Sequence, residues 1–239
     1  MNTPNRAPEI FNRDVEERGG YVYALGEKLS TRLATARWME LMLDLTSLRD
    51  RSVIDIGCGD GSLTVRYFDQ ERPRLMAAID PAATAVAAGK KRAGDRPIEF
   101  SVADGHHLPY PDGAFDIAVL QAILHHDDDP RSTLAEALRV AREIIVLEPN
   151  GYSPILKVLE RFSPYHRDHE ERSYSPPQLR AWIEAAGARF VRGRLGVAVP
   201  MFCPDLMARA LKALEPLIER TPGLNRLLCA VYVLHARRD

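Results

Sequence analysis

Short apolar runs alternate with helix-compatible segments through the middle of the chain. The runs occupy residues 53–56, 75–79, 98–102, 115–120 and 143–148. Helix-compatible segments follow from Ser62, over 82–92 and over 127–142. Such alternation predicts an α/β fold with a doubly wound, mostly parallel sheet, helices on both faces and ligand at the carboxyl ends of the strands.

Fewer helices and strands are predicted in the regions on either side of this alternating segment. An amphipathic packing helix is expected over about 31–48, a helix over 178–186, a sixth strand over 189–198 and a last strand over 228–236. A further helix starts near Asp205 and is expected to be interrupted near Pro216. Its apolar stripe predicts a core face, with a homodimer contact or membrane-surface association as alternatives. The stripe consists of Leu206, Met207, Ala210, Leu211, Leu214, Leu217 and Ile218.

Composition narrows the class of protein. The 239 residues carry a net charge of −1, which gives no basic field for nucleic acid. Three cysteines without a C-x-x-C pair indicate a reducing compartment and neither zinc nor disulfides. The polar first residues lack the apolar core of a signal peptide, and no apolar run approaches the ~20 residues of a membrane span. We therefore expect a soluble, cytoplasmic, single-domain protein without a nucleic-acid or integral-membrane partner.

Residues 52–61 read S-V-I-D-I-G-C-G-D-G, a buried strand that stops at a glycine turn before a helix. Such a turn brings backbone N–H groups and a helix N-terminus close to a ligand. The spacing G-x-G-x-G differs from both the dinucleotide and the P-loop patterns. Asp55, two residues before the first glycine, would repel a pyrophosphate and suits a ligand with an ammonium or sulfonium charge.

This stretch resembles motif I of the class I S-adenosylmethionine (SAM) methyltransferases, D/E-x-G-x-G-x-G. A second stretch, 106–120, resembles the L-P-F-x-D-x-x-F-D-x-V segment of the ubiquinone-biosynthesis-like branch of that family (methyltransferase type 11/25). The matching residues are Asp55, Gly57, Gly59 and Gly61, then Leu108, Pro109, Tyr110, Asp112, Phe115 and Asp116, with Tyr110 in place of phenylalanine. The resemblance covers about residues 50–150. It implies a Rossmann-like seven-stranded sheet whose last strand is antiparallel and inserted between the fifth and sixth, with SAM as cofactor and S-adenosylhomocysteine as product.

Acidic residues stand at the ends of three successive predicted strands. Asp80 at the second strand end is suited to accept from ribose hydroxyls, and Asp104 at the third from an exocyclic amine such as that of adenine. Each acid alone is better explained as a helix cap or turn residue, but the three acids Asp55, Asp80 and Asp104 together favour a ligand. The predicted cofactor-binding set is Asp55, Gly57, Cys58, Gly59, Gly61, Asp80, Pro81, Ala103, Asp104, Gly105, Gln121 and Tyr21. Tyr21 and Tyr23 either close over the cofactor or are ordinary rim aromatics.

Histidine is suited to remove a proton from a hydroxyl or ammonium acceptor at neutral pH. The candidates are His126 and His125 beyond the fourth strand, and His166 and His169 in the polar run 163–174. We interpret this run as a lid over the acceptor, or as a segment that pairs charges at the rim of the pocket. A cap or packing role is the alternative for His125 and His126. The spacing of His166, His169 and Glu170 lacks a metal-helix signature, and we predict no metal. Arg37 reads as a surface arginine, with contact to a ligand carboxylate as the alternative.

The predicted organisation is one methyltransferase domain over 1–239. Residues 1–48 form an N-terminal cap and packing helix, 50–150 the SAM-binding core, and 149–228 the substrate-side inserts and C-terminal elements. The expected activity is methyl transfer from SAM to an oxygen or nitrogen of a small molecule. The alternatives are a non-catalytic SAM-binding regulatory protein and a nicotinamide-dependent oxidoreductase, the second disfavoured by the glycine spacing and by Asp55.

Overall fold

A single seven-stranded sheet organises the chain. The computed structural model describes residues 28–163 and 172–238. The strands are β1 (Ser52–Ile56), β2 (Leu75–Asp80), β3 (Ile98–Val102), β4 (Phe115–Gln121), β5 (Ala141–Pro149), β6 (Arg189–Gly196) and β7 (Val231–Arg237). Their order across the sheet is β3-β2-β1-β4-β5-β7-β6.

The first five strands are parallel, and β7 pairs antiparallel with both β5 and β6. Both the predicted doubly wound sheet and the insertion of the last strand between the fifth and sixth are confirmed. The strand order reverses between β1 and β4, which lie side by side in the sheet. In open α/β sheets ligands bind at the carboxyl ends of the strands next to such a reversal.

Helices cover both faces of the sheet. They are α1 (Leu29–Leu43), α2 (Ser62–Glu71), α3 (Ala83–Ala93), α4 (Pro130–Val140), α5 (Pro154–Phe162), α6 (Pro176–Ala185), α7 (Asp205–Arg220) and α8 (Leu224–Leu228). On one face α4 and α6 bury Leu134 and Leu179 against the sheet. On the other face α1 and α2 bury Met42 and Tyr67. None of the helices in 28–163 and 172–238 is long and apolar enough to cross a membrane.

Three sequence-based boundaries are wrong. The first helix ends at Leu43 rather than near residue 48, with Asp44 at its C-cap. Residues 224–228 form α8, so the last strand begins only at Val231. Helix α7 continues through Pro216 to Arg220 instead of being interrupted there. A proline in a helix removes one backbone donor, and the turns on either side of Pro216 keep the helix continuous.

The apolar stripe of α7 does not form the core face that its periodicity predicts. Leu206 is 82% exposed and Leu217 61%. The residues of α7 that are buried are Ala208, Glu215 and Ile218.

Polar contacts explain which side of α7 turns inward. The backbone N–H of Ala198 donates to Glu215 at 3.0 Å, and that of Val197 donates to Glu219 at 3.1 Å. These donors follow the end of β6 and need acceptors once they are buried. Arg37 of α1 also bonds Glu219, at 2.6 Å, so the interpretation of Arg37 as a solvated surface residue is wrong.

Candidate functional site

The glycine turn after β1 joins the carboxyl ends of three strands. Gly57, Gly59 and Gly61 have φ of 74°, 55° and 70°, a region that L side chains rarely adopt. The N–H groups of Gly57 and Cys58 donate to the carbonyl of Ile79 in β2, at 2.8 and 2.9 Å. A Cβ on Gly57 would lie 2.4 Å from Cγ2 of Ile123, just beyond β4. The turn therefore needs glycine both for its backbone and for its space.

Asp80 at the end of β2 holds this turn. Its Oδ2 accepts from the N–H of Gly59 at 2.9 Å, and its Oδ1 accepts from the N–H of Ala82 at 2.8 Å. The side chain is buried, and burial raises its pKa despite these two bonds. Each carboxylate oxygen offers two acceptor positions, so one on each remains for a ribose hydroxyl. Pro81, also predicted for the site, is exposed beside it.

Asp55 lies beneath the turn. It is 4% exposed, and the hydroxyl of Thr64 in α2 donates to its Oδ2 at 2.6 Å. Burial raises the pKa of Asp55 to about 6. The Cys58 thiol is half-buried, and burial raises its pKa, which keeps it protonated at neutral pH.

Gln121 at the end of β4 presents a buried donor. Its Oε1 accepts from the hydroxyl of Tyr67 at 2.6 Å. Its Nε2 is buried and has no hydrogen-bond partner among the described residues. Buried polar groups in native structures are nearly always paired, so this amide is a donor that a ligand would satisfy.

Asp104 lies in the loop after β3 and is linked to the same region. The N–H of Ala103 donates to the carbonyl of Asp80 at 3.3 Å. A Cβ on Gly105 would contact Ile56, the last residue of β1, at 3.5 Å. The Asp104 carboxylate is exposed, and hydrogen bonds from His106 lower its pKa although burial acts in the opposite direction.

The two adjacent histidines lie on a 3₁₀ turn, Leu124–His126, directly after β4. His125 is buried, whereas His126 is partly exposed, and their ring centroids are 3.9 Å apart. Nδ1 of His125 lies 2.8 Å from Oε2 of Glu148 at the end of β5. The structure thus brings both of these predicted bases together at the carboxyl edge of the sheet.

Sequence reasoning missed Glu148 as part of this group. It is fully buried and accepts the backbone N–H groups of Ile123, Leu124 and His125. Burial raises its pKa to about 7, against the effect of those bonds. The signal was present, because Glu148 is an acid at the end of a predicted strand, like Asp55, Asp80 and Asp104.

Some predicted residues fall elsewhere. Tyr21, Tyr23, His166, His169 and Glu170 lie outside the described residues, and so does most of the predicted lid. Arg37 bonds Glu219 and Glu40. The roles assigned to all the cofactor-binding and catalytic candidates stay predictions.

Residues 54–151 match the family described as a methyltransferase domain. This match extends from within β1 to just beyond β5 and includes Asp55, Asp80 and Asp104. Over this part of its length, which is less than half, the chain is similar to class I SAM-dependent methyltransferases.

Two curated relatives are similar to parts of the chain. It is 32% identical over 129 residues to 27-O-demethylrifamycin SV methyltransferase of Amycolatopsis mediterranei, covering 48% of the chain and 44% of the relative. It is 30% identical over 109 residues to demethylmenaquinone methyltransferase of Renibacterium salmoninarum, covering 45% and 44%. The chain therefore spans less than half the length of these curated relatives.

The likeness in fold extends further than the likeness in sequence. The structure of geranyl diphosphate C-methyltransferase from Streptomyces coelicolor A3(2) superposes with a TM-score of 0.70 at 15% identity, covering 99% of both chains. At this identity the likeness concerns the fold alone. It extends over the last third, which the family match does not reach.

Proposed function

We propose that this protein transfers the methyl group of SAM to an oxygen or nitrogen of a small molecule and releases S-adenosylhomocysteine. The observation that carries the proposal is the junction at the carboxyl edge, where Asp80 binds Gly59 of the turn and Ala103 binds the backbone of Asp80. Hydrogen bonds thereby link residues that follow β1 and β3 to the end of β2. The similarity to SAM-dependent methyltransferases supports SAM as the ligand at this junction.

The residues present fit an adenosyl amino acid. Asp80 would accept from the ribose hydroxyls and Asp104 from the adenine amine. Asp55 lies beneath the turn, where its negative charge favours a cationic ligand. The unpartnered Nε2 of Gln121 would donate to a ligand oxygen. We assign the SAM-binding part to residues 50–150 and the acceptor side to 149–228.

When bound, SAM supplies an electrophilic methyl carbon, which the acceptor's lone pair takes as the carbon–sulfur bond breaks onto sulfur. The protein's part is to hold donor and acceptor in line. We assign His126 as the base that takes the acceptor's proton, because it is the more exposed of the pair. Glu148 holds the 3₁₀ turn in place through four hydrogen bonds. Three come from the backbone N–H groups of Ile123, Leu124 and His125, and one involves the His125 ring.

The acceptor class rests on two kinds of support. The near-neutral chain has no basic excess for nucleic acid. One curated relative is named for methylation at an oxygen, the 27-O position of a rifamycin. A base is needed when the acceptor is a hydroxyl or an ammonium, and the paired histidines supply one.

Calorimetry with S-adenosylhomocysteine and, separately, NAD tests the cofactor. We expect binding of S-adenosylhomocysteine alone. Binding of NAD alone would overturn the proposal in favour of an oxidoreductase.

Turnover is tested with methyl-labelled SAM and a panel of phenols, sugars and amines. Methylated product is expected with at least one class. Tight binding of S-adenosylhomocysteine with no product from any class would favour the non-catalytic SAM-binding alternative.

The base is tested by His126→Ala, with His107→Ala, an exposed histidine in the same region, as control. We expect His126→Ala to lower kcat by about 10²-fold and to leave the affinity for S-adenosylhomocysteine unchanged. The control should keep both. Equal kcat in the two variants would remove His126 from the mechanism.

A further inference from the structure

His106 lies between two carboxylates that belong to different loops. Its Nδ1 is 2.7 Å from Oδ1 of Asp104, which follows β3, and its Nε2 is 2.9 Å from Oδ1 of Asp127, which follows β4. The backbone N–H of His106 also donates to Asp104 Oδ1, at 3.0 Å. The ring is 20% exposed. It therefore connects the two loops at the carboxyl edge of the sheet.

The partner at the far end of the ring is itself firmly held. Asp127 accepts from the hydroxyl of Thr133 in α4 at 2.6 Å and from the N–H of Asp129 at 2.9 Å. Its side chain is 10% exposed, whereas that of Asp104 is 63% exposed. His106 thus ties an exposed carboxylate to an anchored one.

Both contacts are hydrogen bonds only when both ring nitrogens carry a proton. A neutral imidazole has one N–H and one lone pair, and the lone pair would face a carboxylate oxygen at under 3 Å. Burial alone acts to lower the pKa of His106, but Asp127 and Asp104 outweigh it and raise the pKa. The hydrogen-bond geometry and the neighbouring carboxylates both indicate that His106 is an imidazolium.

Asp104 is thereby oriented by its neighbours. Its Oδ1 receives two donors from His106, which leaves Oδ2 for an amine. The ligand atoms of His106, Asp127 and Asp128 lie within 4.8 Å of one another. The hydrogen bonds to Asp127 account for this cluster, and we assign no metal to it.

We propose that His106 is a positioning residue for adenine recognition: as an imidazolium held between Asp104 and Asp127, it fixes the Asp104 carboxylate so that Oδ2 accepts from the exocyclic amine of the cofactor. This inference rests on the proposed function, since it needs an adenosyl ligand. It adds that recognition of adenine depends on a residue that need not touch the ligand.

Two ligands separate positioning from general damage. S-adenosylhomocysteine carries the exocyclic amine, and S-inosylhomocysteine has a carbonyl in its place. His106→Gln is expected to lower the affinity for S-adenosylhomocysteine by about tenfold, which corresponds to the loss of one charge-assisted hydrogen bond. The affinity for S-inosylhomocysteine should fall by less than about twofold. His107→Ala, which alters the exposed neighbour, should change neither affinity.

A double-variant cycle tests the route through Asp104. In an Asp104→Asn background, His106→Gln should have no further effect on S-adenosylhomocysteine. Asp127→Asn, which removes the charge at the far end of the ring, should reproduce part of the loss. Thermal unfolding of each variant shows whether it is folded.

The pH profile supplies a readout that a packing role would not change. The groups that face His106 are Asp104 on its own loop and Asp127 and Asp128 before α4, with His107 next in the chain and Tyr174 near Asp127. As pH rises through the raised pKa of His106, above its ordinary 6.5, wild-type affinity should fall towards that of His106→Gln. The difference between the two proteins isolates His106 from Asp55 and Glu148, which titrate in both.

The outcomes are distinct, with EDTA present throughout to exclude a divalent cation. Equal weakening of both ligands by His106→Gln would overturn the inference. So would a difference in affinity between the wild type and the variant that stays constant as pH rises above 6.5. A wild-type protein that binds no S-adenosylhomocysteine at all would instead overturn the proposed function.

Discussion

Large apolar side chains are mostly buried in the region from β1 to β5, and many are exposed in the region that follows it. Of the fifteen large apolar side chains exposed in the described ranges, two lie in the first region, Leu75 and Val102. The other thirteen lie after Pro149, on α5, β6, α7, α8 and the loop before α7. On α5 alone Ile155, Val158 and Phe162 are more than half exposed.

For α7, the exposure of its apolar side chains follows from how the backbone donors beyond β6 are satisfied. In β1 to β5 the parallel ladders pair the N–H and C=O groups, so apolar side chains can fill both faces. In the last third, backbone N–H groups beyond β6 need side-chain acceptors, and α7 turns Glu215 and Glu219 towards them. The apolar stripe of α7 is then left outside, and no described residue covers Leu206.

The largest contrast is expected from one substitution made in both regions. Leu120→Ala removes a side chain of β4 that is 0% exposed, and should lower the free energy of unfolding by about 2–5 kcal/mol. Leu206→Ala on α7 removes one that is 82% exposed, and should change it by less than about 0.5 kcal/mol. Urea unfolding at constant m-value measures both. A costly Leu206→Ala would show that the stripe is covered in solution.

Substitutions at two glycines test how tightly the region from β1 to β5 is packed. Gly57→Ala should cost about 2–4 kcal/mol, because it adds a contact of 2.4 Å with Ile123 to the strain of a positive φ. Gly113→Ala, with a φ of 65° and nothing within 4 Å, is the matched control and should cost about 1 kcal/mol of strain alone. Urea unfolding of the two variants measures the difference. Equal costs would mean that the space at Gly57 is not limiting.

Removal of the charged contacts beneath α7 tests what holds this helix against the rest of the region after β5. Arg37→Met leaves Glu219 and the buried Glu215 without their arginine and should cost about 2 kcal/mol. Arg180→Met removes an exposed pair with Glu184 on α6 and should cost less than about 0.5 kcal/mol. Thermal unfolding compares them. If both variants match the wild type, α7 is held by its apolar contacts instead.

The smallest expected effect is a pH dependence of stability. The pKa of Asp55 is raised to about 6 in the folded protein from an ordinary 3.8, so the native state binds its proton more tightly than the unfolded chain. Protonation of Asp55 therefore stabilises the folded protein fully below about pH 4, and this stabilisation is lost as pH rises through 6. Relative to Asp55→Asn, the wild type should gain stability between pH 7.5 and pH 5 in urea unfolding. A difference that is constant with pH would place the folded pKa of Asp55 near its ordinary value.

The sequence by itself determined the sheet and much of the candidate site. The apolar runs indicate where β1 to β5 lie, because parallel strands buried on both faces are rich in apolar residues. The exception in burial is β3, which lies at the edge of the sheet and is only partly buried. Polar residues at the ends of such strands then converge, which is why Asp55, Asp80 and Asp104 could be placed at one edge before any coordinates.

Only the tertiary structure decided the partners of those groups. That Glu148 holds the turn of His125, and that His106 bridges Asp104 and Asp127, depend on loops from different strands meeting side by side. It also decided which face of α7 turns inward. Helical periodicity shows that a helix has an apolar face, but the burial of that face depends on what lies opposite it. Here the backbone donors after β6 and Arg37 turned the acidic side inward.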